Sequence, residues 1–111
     1  MEITRDNYTE ARALTEGYVR DKLDGFLENR ISPINLSEAD YEHGVDIAVT
    51  ILETKFPEIG MYGGGDFVQA VVNNDLMGAI GRADAVNQKL LLFHCQLMCS
   101  FSPYHLDYSK L

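Results

Sequence analysis

The chain has 111 residues and 46% of them are apolar, which suffices for the core of one compact domain and is short for two. Its net charge of −8 and its pI near 4.6 argue against direct binding to nucleic acid or to an anionic membrane surface. The charge is uneven, because residues 1–60 hold 13 acidic and 6 basic residues, whereas residues 61–111 hold 4 and 3.

The N-terminal half contains the signals of two amphipathic helices. Asn7 and Glu10 match a capping box, and apolar residues then recur at helical spacing until Pro33 ends the pattern. Gly25 weakens this helix and is a candidate break. A second capping box at Ser37–Asp40 opens the clearest amphipathic helix of the chain, which Pro57 stops.

The C-terminal half predicts a short helix and a long one. Asp66 is placed to cap a helix after the irregular segment "EIGMYGGGD", and "NND" at residues 73–75 breaks that helix. From Leu76 to about Ser100 the apolar spacing predicts one long helix that is apolar on nearly every side. No segment alternates as a strand would. We therefore expect a single all-α domain over residues 1–111, with about four helices and a long apolar C-terminal helix.

The glycine-rich turn Gly63–Asp66 invites comparison with a phosphate-binding loop. It has no lysine and no serine or threonine at the offsets such loops use, and a capping Asp66 would repel an anion. We expect a turn followed by a helix cap. A small-ligand or nucleotide site at this turn stays open as an alternative.

No residue pattern predicts a metal, a cofactor or a catalytic centre. Asp66, Asp75 and Asp84 recur every nine residues, so on one helix successive members face opposite sides. Cys95 and Cys99 share a helix face with too few other ligands for a closed zinc site and no disulfide geometry. We expect a non-enzymatic protein without cofactors, and a reducing cytoplasm as its compartment, because no signal segment or apolar run of membrane-spanning length is present.

Two acidic stripes are the first candidate partner-binding surface. Both follow helical spacing, and each is opposite an apolar face: Glu38, Glu42 and Asp46 in the second helix, and Asp21, Asp24 and Glu28 in the first. Such stripes are commonly solvated surface. They can also dock a basic protein surface or imitate a phosphate backbone.

A second candidate surface lies in "GRADAVN". Arg82, Asp84 and Asn87 are polar groups among small residues, and Gly78, Gly81 and Ala85 form a stripe that would let another helix approach closely. Exposed polar edges of a packed helix are the commoner explanation of this pattern. The alternative is a surface that faces a partner or a second copy of the chain.

The segment "GGGDFVQAVVNNDLMGAIGRADAVNQKLL" resembles a pattern found in a family of small uncharacterised phage proteins. Eleven positions carry the resemblance: Phe67, Ala70, Val71, Asn74, Asp75, Leu76, Ala79, Arg82, Ala83, Asp84 and Asn87. The N-terminal half and the residues after Leu92 do not contribute. The resemblance implies a phage or prophage source and nothing specific about activity.

These observations lead to two principal hypotheses. The first is a phage-type interaction protein that binds and inhibits a host protein, with a host-defence component such as a CRISPR effector as the target class. The second is an assembly protein that forms homo-oligomers through its apolar C-terminal helix. In both, the partner is a protein, and neither a nucleic acid nor a membrane is bound directly.

Overall fold

The computed structural model describes residues 2–111, apart from the side chain of Lys110. This range folds into five α-helices: α1 (Tyr8–Glu28), α2 (Glu38–Lys55), α3 (Asp66–Val72), α4 (Leu76–Arg82) and α5 (Ala85–Ser100). Single 3-10 turns occupy Pro57–Ile59, Pro103–His105 and Tyr108–Lys110, and no strand occurs within residues 2–111. The all-α prediction is confirmed for this range. Met1, the first residue of the predicted domain, lies outside it.

Helix α1 is continuous, so Gly25 does not break it. Its buried stripe falls at every fourth residue and packs against the rest of the core: Ala11, Thr15, Val19 and Leu23. This packing compensates the weak helix propensity of its glycines. The predicted capping box at Asn7 is wrong, because the Asn7 side chain accepts a hydrogen bond from the Thr4 N–H and donates to the Glu2 carbonyl instead.

Helix α2 begins as predicted. The Ser37 hydroxyl accepts a hydrogen bond from the Asp40 N–H, and the chain leaves the helix at Phe56, just before Pro57. Helix α2 packs against α1, α3 and α5, so it is buried on three sides. It is the central element of the fold.

The predicted long C-terminal helix is wrong, because the chain is interrupted between α4 and α5. Ala83 adopts an extended conformation, and the Asp84 carboxylate accepts the Asn87 N–H to cap a new helix. Leu76 and Ile80, which belong to the apolar spacing of that predicted helix, are 59% and 51% exposed. The small-residue stripe is divided by the same interruption, and Gly81 has no neighbour close enough to meet a β-carbon.

The break between α3 and α4 is where the sequence placed it. Asn74 takes a left-handed conformation with φ of 59°, which asparagine tolerates better than most residues. Asp75 then caps α4 by accepting the Gly78 N–H. Helices α3 and α4 pack mainly on each other and, through α3, on α2.

Two apolar clusters meet along α2. The larger joins α1, α2 and α5 around Val49, Leu52 and Leu90, and the C-terminal segment adds Phe101 and Tyr108 to it. The smaller lies around Ile51 and the inner faces of α3 and α4. The Tyr108 hydroxyl shares a buried 2.7 Å hydrogen bond with Thr15, which ties the C-terminal segment to α1.

Candidate functional site

The two acidic stripes border the seam between the antiparallel helices α1 and α2. Arg20 in α1 pairs with the Glu42 carboxylate, and the Tyr41 hydroxyl donates a 2.8 Å hydrogen bond to Asp24. The Arg20 guanidinium also lies 5.8 Å from the centre of the Tyr41 ring. Hydrogen bonding to Arg20 lowers the pKa of Glu42, and burial together with Asp24 raises the pKa of Tyr41. Two residues of the predicted stripes, Glu42 and Asp24, thus hold the seam together.

The remaining acidic residues of the stripes face solvent. Asp21, Glu28 and Glu38 are exposed, and within residues 2–111 the structure gives them neither an ion pair nor a hydrogen bond from a side chain. Glu28 ends α1 and Glu38 begins α2, so both lie at the same end of the helix pair. Helices α1 and α2 together carry ten carboxylates against four lysines and arginines. We call the predicted stripe residues, taken together, the acidic face: Asp21, Asp24, Glu28, Glu38, Glu42 and Asp46.

A polar cluster that the sequence analysis did not predict lies at the other end of the same seam. Arg12 donates to Asp46 at 2.6 Å and to Glu53 at 2.8 Å, and the Tyr8 hydroxyl donates to the same Glu53 oxygen at 3.1 Å. The partners are 34 to 45 residues apart in the chain. The one sequence signal is that Glu53 is placed four residues after Val49, at the edge of the apolar stripe of α2.

The Glu53 carboxylate is closed off from solvent. Its side chain is 1% exposed, one oxygen has no partner in the structure, and a β-carbon on Gly60 would lie 2.6 Å from its Cγ. Burial raises the pKa of Glu53, and the positive charge of Arg12 opposes this. The arrangement is that of an interhelical ion pair covered by the Gly60 backbone.

The second predicted surface is divided between the protein exterior and the core. Arg82 is half-exposed with its Nε 4.0 Å from Asp66, whereas Asp84 caps α5 and accepts a 2.8 Å contact from His43 in α2. Burial favours a higher Asp84 pKa, but hydrogen bonds from the Asn87 N–H and His43 lower it. Asn87 is 3% exposed and offers no surface to a partner in this conformation.

Asn87 belongs to a buried pair with His94. The Asn87 amide oxygen lies 3.3 Å from His94 Nε2, while His94 Nδ1 is buried with no partner in the structure. Burial lowers the pKa of His94 to about 4, so the ring is neutral near pH 7. The residue contributes apolar contact, with the Phe67 and Phe93 rings against it.

The glycine-rich turn packs against neighbouring residues of the same chain. Gly64 donates to the Thr54 hydroxyl at 3.0 Å, and a β-carbon there would collide with Val68. Close approach requires a glycine only at Gly64, since Gly63 and Gly65 have room for a β-carbon and no glycine of the turn has positive φ. Gly65, not Asp66, is the N-cap of α3, and no side-chain bond caps that helix, so the predicted Asp66 cap is wrong.

Among residues 2–111, no group of three or more histidine, cysteine or carboxylate side chains is placed to hold a metal ion. Cys95 is partly buried and Cys99 is exposed, and burial raises the pKa of Cys95. None of the described helices is long and apolar enough to cross a membrane.

A groove of about 860 Å³ lies between α1 and α5. Its floor is formed by Phe26 and Phe93, whose rings are 5.3 Å apart, together with Leu97. Leu92 lies at its side, 54% exposed, and Ile31 is fully exposed at one end. We call this feature the α1–α5 groove.

A second apolar surface covers the outer side of α4. Leu76, Met77 and Ile80 are 59%, 81% and 51% exposed and share one side of the helix. We call these three side chains the α4 patch.

Comparisons with models of protein families, with curated proteins and with solved structures find no match to this chain.

Proposed function

We propose that the protein is a non-catalytic interaction protein whose acidic face binds a basic surface of another protein. The observation that carries this proposal is the unequal use of charge across α1 and α2. Arg12 and Arg20 are engaged with carboxylates in the seam, while Asp21, Glu28 and Glu38 face solvent. An excess of unpaired carboxylates on one face attracts a positively charged partner over a distance of about one Debye length.

The resemblance to small phage proteins gives the proposal a finer form. The partner is then a host protein in the cytoplasm, and a host-defence component whose basic surface binds nucleic acid is the best-fitting class. By occupying that surface, the acidic face would inhibit the partner. This form of the proposal is supported by the "F-x-x-A-V-x-x-N-D-L" pattern from Phe67 and by the charge of the chain.

The test is affinity purification of the tagged protein from host lysate, with two variants that make the same change in net charge. Glu28→Lys/Glu38→Lys reverses two exposed carboxylates of the acidic face that make no ion pair. Glu10→Lys/Glu58→Lys is the matched control, because Glu10 is near the other end of α1 and Glu58 is beyond α2.

We expect the wild-type protein and the control to recover the same partner, and the Glu28→Lys/Glu38→Lys variant to lose it. Recovery should also fall steeply with added salt, since exposed charges are screened. Equal recovery by both double variants would show that the acidic face is not the docking surface. When a partner is recovered, the same pair of variants decides whether inhibition of its activity follows binding.

A further inference from the structure

The α1–α5 groove has the size and the floor of a small-molecule site. Its volume of about 860 Å³ falls within the range of about 300–1,000 Å³ that is typical of such sites. Phe26, Phe93 and Leu97 form the floor. The exposed side chains of Leu92 and Ile31 continue the apolar surface at one side and at one end. A ligand that fits this groove must therefore have an apolar body.

The charged residues that line the groove are placed unequally. Asp21 and Lys22 are neighbours in α1, so their opposite charges largely offset each other at that end. Arg30 lines the groove beyond the end of α1, and within residues 2–111 it forms no ion pair. Glu28, the carboxylate nearest to Arg30 in the sequence, does not line the groove. The groove thus presents one unopposed positive charge, at Arg30.

The Arg30 guanidinium is held in place and keeps donors free. Its central carbon lies 5.1 Å from the centre of the Phe26 ring, and its Nε donates a 3.2 Å hydrogen bond to the Ser32 carbonyl. Its two terminal nitrogens have no hydrogen-bond acceptor among residues 2–111. Such a pair of nitrogens matches the two oxygens of a carboxylate, and charge-assisted hydrogen bonds of this kind are stronger than neutral ones. An anion bound there would lie beside the apolar floor, because Phe26 belongs to that floor.

We propose that the α1–α5 groove binds a small organic carboxylate with an apolar body. The carboxylate pairs with Arg30, and the apolar body lies on Phe26, Phe93 and Leu97. One unopposed cation matches the single negative charge of a carboxylate better than the charge of nearly two that a phosphate monoester carries at neutral pH. This site goes beyond the proposed binding of a basic protein and uses neither Glu28 nor Glu38, so the two proposals can fail separately.

Two probes that share an apolar chain and differ in the sign of the head group test the proposal. Decanoate and decylammonium are titrated into the protein, and binding is followed by the chemical shifts of its amide groups in NMR spectra. The net charge of −8 makes non-specific association favour the cation, so a preference for the anion requires a local positive charge. We expect decanoate to bind at a single saturable site and to shift the signals of groove residues, with decylammonium binding at least about tenfold more weakly.

Variants of the groove locate the contact. Arg30→Gln should weaken decanoate binding by about tenfold or more, because it removes the charged donors. Arg5→Gln makes the same change in net charge at an exposed position outside the groove, and it should bind like the wild type. Leu92→Glu puts a carboxylate at the side of the groove and should also weaken binding. Asp21→Asn removes the one carboxylate among the described lining residues and should bind at least as tightly as the wild type. Circular dichroism confirms that each variant folds.

Three results would overturn the proposal. One is a wild-type protein that shows no saturable binding of decanoate up to about 1 mM, near the limit of a specific weak contact. Another is decylammonium binding as tightly as decanoate, which would show that the apolar chain alone decides binding. The third is an equal loss of decanoate binding in Arg30→Gln and Arg5→Gln, which would make the attraction a property of the whole surface.

Discussion

Two arginines of α1 face the same neighbouring helix in different surroundings. The Arg12 side chain is 19% exposed and contacts Glu53, whose side chain is 1% exposed. The Arg20 side chain is 38% exposed and its partner Glu42 is 52% exposed. Water screens the second pair and hardly reaches the first, so the same kind of contact has different consequences for stability.

Replacing Arg12 with methionine should therefore destabilise the fold by about 3–5 kcal/mol at pH 7, because Glu53 is left buried without its cation. The matched variant Arg20→Met should lose a small fraction of that amount. Urea denaturation of both variants measures the difference. In Arg12→Met, lowering the pH should recover part of the loss, since a proton on Glu53 removes the buried charge. Equal losses in the two variants would contradict this account.

His94 makes the stability of the protein sensitive to mildly acidic pH. Its folded pKa of about 4 lies below the ordinary value of 6.5, because burial disfavours the charged ring. The charge of Asp84 opposes this shift, and that of His43 adds to it. The unfolded chain binds the proton first. The contribution of His94 to stability is therefore complete above pH 6.5 and is lost as the pH falls towards 4.

We expect this loss to approach about 1.4 kcal/mol per pH unit, or about 3 kcal/mol in total. Denaturation of the wild type and of His94→Leu between pH 5 and 6.5 measures it, since this is a window in which ordinary carboxylates remain largely ionised. The variant should show a flatter dependence of stability on pH. If His94→Leu lost stability with falling pH as steeply as the wild type, another group would be responsible for this loss.

Among the elements, the start of α5 depends on one carboxylate. Asp84 caps the helix through the Asn87 N–H and contacts His43, whereas the Asp66 side chain is 90% exposed and caps nothing. Asp84→Ala should cost about 1 kcal/mol, within the range measured for lost N-caps. Asp66→Ala should leave the thermal midpoint nearly unchanged. Similar shifts in the two melting curves would mean that Asp84 does not act as a cap.

The same two aspartates show how far the sequence predicts the elements. Ser37 was recognisable as a cap because a proline-containing loop precedes it and an apolar stripe begins after it. Asp84 lies within a stretch whose apolar spacing continues from Leu76 to Leu97, and two extended residues, Ala83 and Asp84, interrupt the helix without disturbing that spacing. The local residue pattern predicts well that a segment is helical, but it cannot show such an interruption.

The candidate site, too, could be predicted only in part from the sequence. Exposure of Asp21, Glu28 and Glu38 follows from their position opposite the apolar face of a helix. The engagement of Asp24, Glu42 and Asp46 by residues of the facing helix depends on how α1 and α2 are aligned. That alignment is set by packing between residues far apart in the chain, which spacing within one helix does not reveal.

For the molecule as a whole, stability should be distributed around α2. This helix contacts three others and buries residues from Gly44 to Glu53, while α4 is seven residues long and packs mainly on α3. We expect amide hydrogens in the middle of α2 to exchange only on global unfolding, and those of α4 to exchange by local opening. Hydrogen exchange followed by mass spectrometry, at a concentration where the chain is monomeric, checks this order. Equal protection of the two helices would show that the fold opens only as a unit.

The position of α2 between three neighbours also determines which sequence changes the chain can accept. Each of its sides must complement a different surface, so few alternative residues satisfy all three at once. The outer side of α4 is exposed and need not complement another helix. In a library of random variants selected only for folding, many residue types should therefore be accepted there. If selection for activity in a cell then narrowed the choice at Leu76, Met77 and Ile80, the restriction would have to come from outside the folded chain.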